Sequence, residues 1–170
     1  WERLKKDKKD PVLIGLTDDG YELFFNRDEQ KTRETAIAPS KHQGNAIFPI
    51  DPQGGGTWLG VSHFGQTLAL LNDYQSVFDI TAVKHSRGLL IPHLLSNKAP
   101  ALYQLQNMDL SGYAPFKLCI FPDGLSINNN NVVFVRWDAK QLIHCQVEPL
   151  ATSSGVELET VTQKRKQQFK

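Results

Sequence analysis

An α+β domain that layers antiparallel sheet against helix is what this 170-residue sequence predicts, and three observations predict it. Short β-branched and aromatic runs are joined by tight turns rich in Gly, Asp and Asn, a hairpin pattern that implies antiparallel pairing. The helical signals are grouped rather than interleaved with the strands, which argues against a doubly wound parallel sheet. Length and composition, 40% hydrophobic and 22% charged with nine Phe and three Trp, suit one domain over residues 1–170 that buries its own core. No internal repeat of solenoid length is present.

Taken in order, the β-branched run 12–17, the turn Asp18-Asp19-Gly20 and the strand 21–25 form a hairpin. Residues 29–44 are polar, contain Pro39 and read as loop. A turn cluster at 51–56 leads into a second hairpin, 57–62 and 66–71, folded at the Phe64-Gly65 corner. Ser86 is placed to cap a helix over 88–95, which Pro92 suits poorly, and Pro100 to open another over 99–106. Strands return at 116–121, 132–137 and 141–147, and residues 157–169, free of breakers, read as a closing helix.

Charge and cysteine content exclude several classes. Net charge is +1 and the basic residues sit mainly at the two ends, so no basic stripe offers a nucleic acid the clustered cations it needs. Cys119 and Cys145 lie in apolar strand-like runs and read as buried, reduced packing residues rather than zinc ligands. The five His residues lack ligand spacing, so no metal and no cofactor is expected. No run approaches the roughly 20 apolar residues of a membrane span, and no signal peptide is visible, so a cytoplasmic location is expected. The sequence leaves the oligomeric state open.

Three places carry polar chemistry on rigid supports. Asn26-Arg27-Asp28-Glu29 ends an apolar strand, where an Arg and a carboxylate can be aimed at a ligand; a polar turn with a local ion pair is the plainer alternative. Gly54-Gly55-Gly56-Thr57-Trp58 can expose backbone N–H groups or let backbone approach a substrate closely, or can be a flexible turn before a strand. It has neither the P-loop ending nor dinucleotide-fold spacing. Asn72 ends the apolar run 67–71 and can donate its amide to a developing oxyanion, or simply cap a turn. No G-x-S-x-G elbow supports a serine hydrolase.

At these residues the sequence resembles the NRDE family, also called the Transport and Golgi organisation 2 family. The matching pieces are YELFFNRDEQKTR, DPQGGGTWLGVSHFGQTLALLNDY, SRGLL and PFKLCIF, with a looser tail of RWDAKQL, TSS and KRKQQF. That family is similar to the N-terminal nucleophile hydrolases of the choloylglycine-hydrolase group. The resemblance implies a four-layer αββα sandwich of mainly antiparallel sheets. It implies a Cys at the chain start as nucleophile, with its own α-amino group as base. It further implies Arg27 and Asp28 or Glu29 as the residues that orient that amine or the substrate, Asn72 as an oxyanion donor, and Asn26, Glu29, Gly55, Gly56, Thr57 and Trp58 as substrate contacts. Ser153, Ser154 and Arg165 correspond to late polar residues of the family.

One departure matters. Family members usually begin Met-Cys and continue into a short strand often ending in Trp, whereas this sequence starts at Trp1. The expectation is that Trp1 closes that first strand, that the Cys lies upstream, and that residues 2–10 form a charged connection; the competing reading is loss of the nucleophile. The resemblance then implies a small-substrate amide hydrolase or acyltransferase. The alternative is a non-catalytic carrier of haem or an acylated metabolite in trafficking, since family members are linked to Golgi organisation, secretion and haem handling. With no CxxCH motif, such haem binding would be noncovalent.

Overall fold

The computed structural model describes residues 9–25, 32–126, 128–145 and 150–154. Its centre is a pair of strands with no polar face. In β6 (Thr67–Asn72) and β7 (Phe116–Phe121) nearly every residue is buried, as an unbroken apolar run demands when both faces of a strand are covered. Side chains alternate across the sheet. Leu68, Leu70, Phe116, Leu118 and Ile120 enter one core, and Ala69, Leu71, Cys119 and Phe121 enter another on the opposite face.

These two strands lie inside a seven-stranded antiparallel sheet ordered β3-β4-β5-β6-β7-β8-β9. The other members are β3 (Ile37–Lys41), β4 (Ile47–Ile50), β5 (Leu59–Val61), β8 (Val133–Trp137) and β9 (Leu142–Cys145). The first core is closed by two short helices. α1 (Leu90–Ser96) buries Leu90, Ile91, Leu94 and Leu95, and α2 (Ala101–Asn107) buries Ala101 and Leu105, each set spaced along one helical stripe. Pro100 is the N-cap of α2, and the Ala101 N–H that the helix leaves unpaired donates to Gln66 Oε1 (3.2 Å) in the turn before β6.

The second core is closed by a three-stranded sheet, β10-β1-β2, of β1 (Lys9–Leu16), β2 (Tyr21–Phe25) and β10 (Leu150–Ser154). Along β2 burial alternates: Tyr21, Leu23 and Phe25 pack on the second core, while Glu22 and Phe24 are exposed. Tyr21 fastens the two sheets, stacking on Phe121 and donating to Thr67 Oγ1 (2.6 Å). The described residues thus form helix, sheet and sheet in three layers. Among them no helix is long and apolar enough to cross a membrane, and no group of three or more His, Cys, Asp or Glu is arranged to hold a metal.

Several expectations need correction. The segment read as loop over 29–44 contains β3, whose residues are all exposed. Pro39 fits there because β3 is the sheet's outermost strand, with a register irregularity between Ile37 and Ser40. Nothing was expected at β4 or β10. Lys9 and Asp10, read as part of a connection, belong to β1 and pair with Ser154 and Ser153. Ser86 makes no side-chain cap bond. The chain instead enters α1 through a 3₁₀ turn at Arg87–Leu89, which leaves Pro92 in the first turn of α1, where its missing N–H is least costly. Cys145, expected to be buried, is only half-buried. The closing helix over 157–169, Arg165 and most of the charged connection lie outside the described residues.

Candidate functional site

A cavity of about 300 Å³ opens where β2, β6 and two glycine-bearing turns meet. β2 contributes Phe25, its last residue, and β6 contributes Leu70 and Asn72. Asn72 is half-buried, and its Nδ2 donates to the hydroxyl of Tyr74 (3.0 Å), which lies on the same wall. One amide N–H is occupied in this way, and a primary amide has a second.

The turn after β4 supplies Asp51, Gly54, Gly56, Thr57 and Trp58. It is closed by Asp51 N–H donating to Gly56 O and Gly55 N–H donating to Asp51 O, both 2.8 Å. Gly55 takes a φ of +64°, a conformation that favours glycine, and its backbone faces open space; it is absent from the cavity wall. Gly56 has a different reason to be glycine. A Cβ there would lie 2.4 Å from the carbonyl carbon of Gly88, and the Thr57 N–H donates to Gly88 O (2.8 Å). The two glycine turns, 51–58 and 86–88, therefore pack backbone against backbone, which brings Ser86 and Arg87 onto the same wall. The buried Thr57 hydroxyl is spent on Leu59 O, so Thr57 shapes the turn from within.

Charge at the cavity comes from three described side chains. Arg33 is hydrogen-bonded to Asp51, and Asp51 also accepts from Gln53 N–H within the turn. Arg87 donates from Nη1 to Pro115 O (2.8 Å). Burial pulls the Arg87 pKa below its ordinary value, against the pull of Tyr74 and Asp73 toward the charged form.

Directly behind Asn72, Asp73 is buried and accepts from Arg136 Nε (2.7 Å), Ser76 Oγ (2.7 Å) and Gln75 N–H (3.1 Å). Burial pushes this carboxyl up, but the bonds from Arg136, Ser76 and Gln75 outweigh it and hold the pKa below the usual value. Asn72 therefore stands on an anchored strand end.

The structure brings Gly54, Gly56, Thr57, Trp58 and Asn72 to one cavity. Asn26, Arg27, Asp28 and Glu29 lie outside the described residues; they directly follow Phe25, which is on the cavity wall. Ser153 and Ser154 are on β10, paired with β1. Sequence reasoning did not single out Arg33, Asp51, Tyr74, Ser86 or Arg87 as wall residues. Two signals pointed toward them, the Asp51 that opens the glycine turn and an Arg set between Ser and Gly at a helix entrance. Neither cysteine among the described residues is on the wall: Cys119 is in the inter-sheet core, where burial pushes its thiol up to about 12, and Cys145 is on β9.

Among the described residues, two antiparallel sheets packed face to face with helices on one outer side form an α+β sandwich, and a strand-end amide lies on a cavity at its edge. A solved structure, the Caenorhabditis elegans N-acylethanolamine-hydrolyzing acid amidase ortholog, is similar over 85% of this chain and 68% of its own, with a TM-score of 0.57 at 13% identity. That likeness is one of fold. The chain belongs to the Transport and Golgi organisation 2 family, whose model matches residues 17–167. A human relative, the Transport and Golgi organization protein 2 homolog, is 33% identical over 95 residues, which cover 54% of this chain and 34% of the relative. The matched stretch thus spans about a third of that protein's length.

Proposed function

We propose that this cavity is the substrate site of a cysteine N-terminal nucleophile amide hydrolase or acyltransferase that acts on a small acylated substrate. The observation that carries the reading is the position of Asn72: an amide donor on an anchored strand end, on the wall of a cavity that a glycine turn also lines. A donor fixed before reaction begins stabilises a tetrahedral oxyanion without reorganising, and this is where such sites gain most of their rate. The glycines admit a substrate carbonyl without side-chain bulk, and Phe25 and Trp58 give the acyl part an apolar surface.

In this reading the nucleophile is a Cys encoded ahead of Trp1, Arg27 with Asp28 orients its amine, and Asn26 and Glu29 contact the substrate. Neither Cys119 nor Cys145 serves as nucleophile. The fold of an acid amidase supports amide chemistry as the reaction class without identifying the substrate.

The test is hydrolysis of N-acyl amides by the product of the full reading frame, with iodoacetamide as a covalent probe. The reading expects turnover that stops when one thiol ahead of Trp1 is alkylated. Turnover that survives this alkylation, or an alkylation that maps to Cys119 or Cys145 and stops turnover, overturns it. Ligand binding without any turnover would leave a carrier role.

A further inference from the structure

Arg87 has no part in the oxyanion chemistry assigned to Asn72, yet it is the charged residue that the second glycine turn delivers to the cavity. A guanidinium does not give up its proton in a protein, so what is withdrawn from water here is a full positive charge. Buried cations are ordinarily met by a carboxylate. Among the described residues Arg87 forms no ion pair; its hydrogen bond goes to the carbonyl of Pro115 (2.8 Å). The nearby described carboxylates are engaged elsewhere, Asp73 with Arg136 and Asp51 with Arg33. With Arg33 and Asp51 offsetting each other, the described wall keeps one positive charge, on Arg87. The rest of its planar fork matches the two oxygens of a carboxylate.

We propose that the cavity selects acyl amides whose head group bears a carboxylate, which Arg87 holds while the acyl part lies against Phe25 and Trp58. This rests on the acyl-amide reading of the cavity. Arg87 is in this account a specificity residue, supplied by the Ser86-Arg87-Gly88 turn and set in place by the Gly56 contact.

N-octanoylglycine and N-octanoylethanolamine share an acyl chain and an amide and differ at the head, carboxylate against hydroxyl. Titration calorimetry of each against the full-length protein should show the glycine conjugate binding about 10- to 100-fold more tightly, the range of a charge-assisted hydrogen-bonded contact. Arg87→Met should erase that preference while leaving the ethanolamide affinity in place. Arg87→Lys, which keeps the charge without the fork, should retain part of it and decides the matter if the Met variant does not fold. Equal affinity of the wild type for both ligands, or a preference undiminished in both variants, overturns the role of Arg87 and leaves the amide site standing. Failure of both ligands to bind the wild type overturns the inference together with the reading beneath it.

Discussion

Arg136 and Arg87 both come within reach of Asp73 at the end of β6, and the protein treats them in opposite ways. Arg136 is partly exposed and bonds the fully buried Asp73 carboxylate at 2.7 Å and Ser76 at 2.9 Å, a closed network in which the buried carboxylate has its partners. Arg87 is half-buried as well, but it bonds a backbone carbonyl. The first arrangement contributes to stability and fixes the strand end that carries Asn72. The second holds a charge at a cavity wall, the arrangement on which the proposed ligand role rests. Two arginines near one carboxylate can therefore differ in kind, and the partner that each one bonds separates them.

The largest effect expected from separating these two regions is at their junction. Gly56→Ala would drive a methyl into the Gly88 backbone at 2.4 Å, where no side chain can give way. It should cost about 3 kcal/mol or more in urea unfolding and disturb the cavity along with the fold. Gly55→Ala, with open space around it, should cost only about 1–2 kcal/mol, for its positive φ.

Next in size is Arg136→Met, which strands a buried carboxylate. About 3 kcal/mol is expected, the low end for breaking a buried pair because Arg136 is itself partly exposed. The pH dependence sharpens this. Asp73 has its folded pKa below the ordinary 3.8, so its contribution is present above that value and is lost as pH falls through the folded pKa. Without Arg136 the carboxylate keeps its burial but loses the largest of the bonds that hold its pKa down, so the folded pKa rises and the variant is penalised most at neutral pH. The stability gap between wild type and variant should narrow below about pH 4. A gap that stays constant with pH would show that Asp73 is not the partner that matters.

The smallest effect is expected at Arg87. Arg87→Met gives up one bond to Pro115 O but also relieves a desolvated charge, so its unfolding free energy should stay within about 1 kcal/mol of wild type. A loss as large as that of Arg136→Met would place Arg87 in the scaffold and remove the contrast between the two.

The sequence made the central architecture legible because its strongest signals are there. The apolar runs of β6 and β7 and the alternation of β2 reflect burial on two faces and on one, and burial is what residue type reports most directly. β3 escaped because an edge strand need not be apolar and tolerates Pro39, so nothing in its composition separates it from loop. β10 carries the polar TSS, which has no strand pattern of its own; what makes it a strand is its pairing with β1, a contact between distant parts of the chain. The same limit applies at the site. Asn72 and the glycine turn were visible because a polar residue closing an apolar strand and three successive glycines are local patterns. Arg87 and Asp51 became wall residues through the Gly56–Gly88 contact and the ion pair with Arg33, which are tertiary facts.

The most direct test of the cavity as a catalytic centre is the turnover of Asn72→Ala in the full-length protein, measured on an N-acyl amide that the wild type hydrolyses. Loss of a donor that acts mainly in the transition state should lower kcat about 10²- to 10³-fold with KM and thermal stability nearly unchanged. A folded Asn72→Ala variant with wild-type kcat would contradict the assignment of this strand end to the oxyanion.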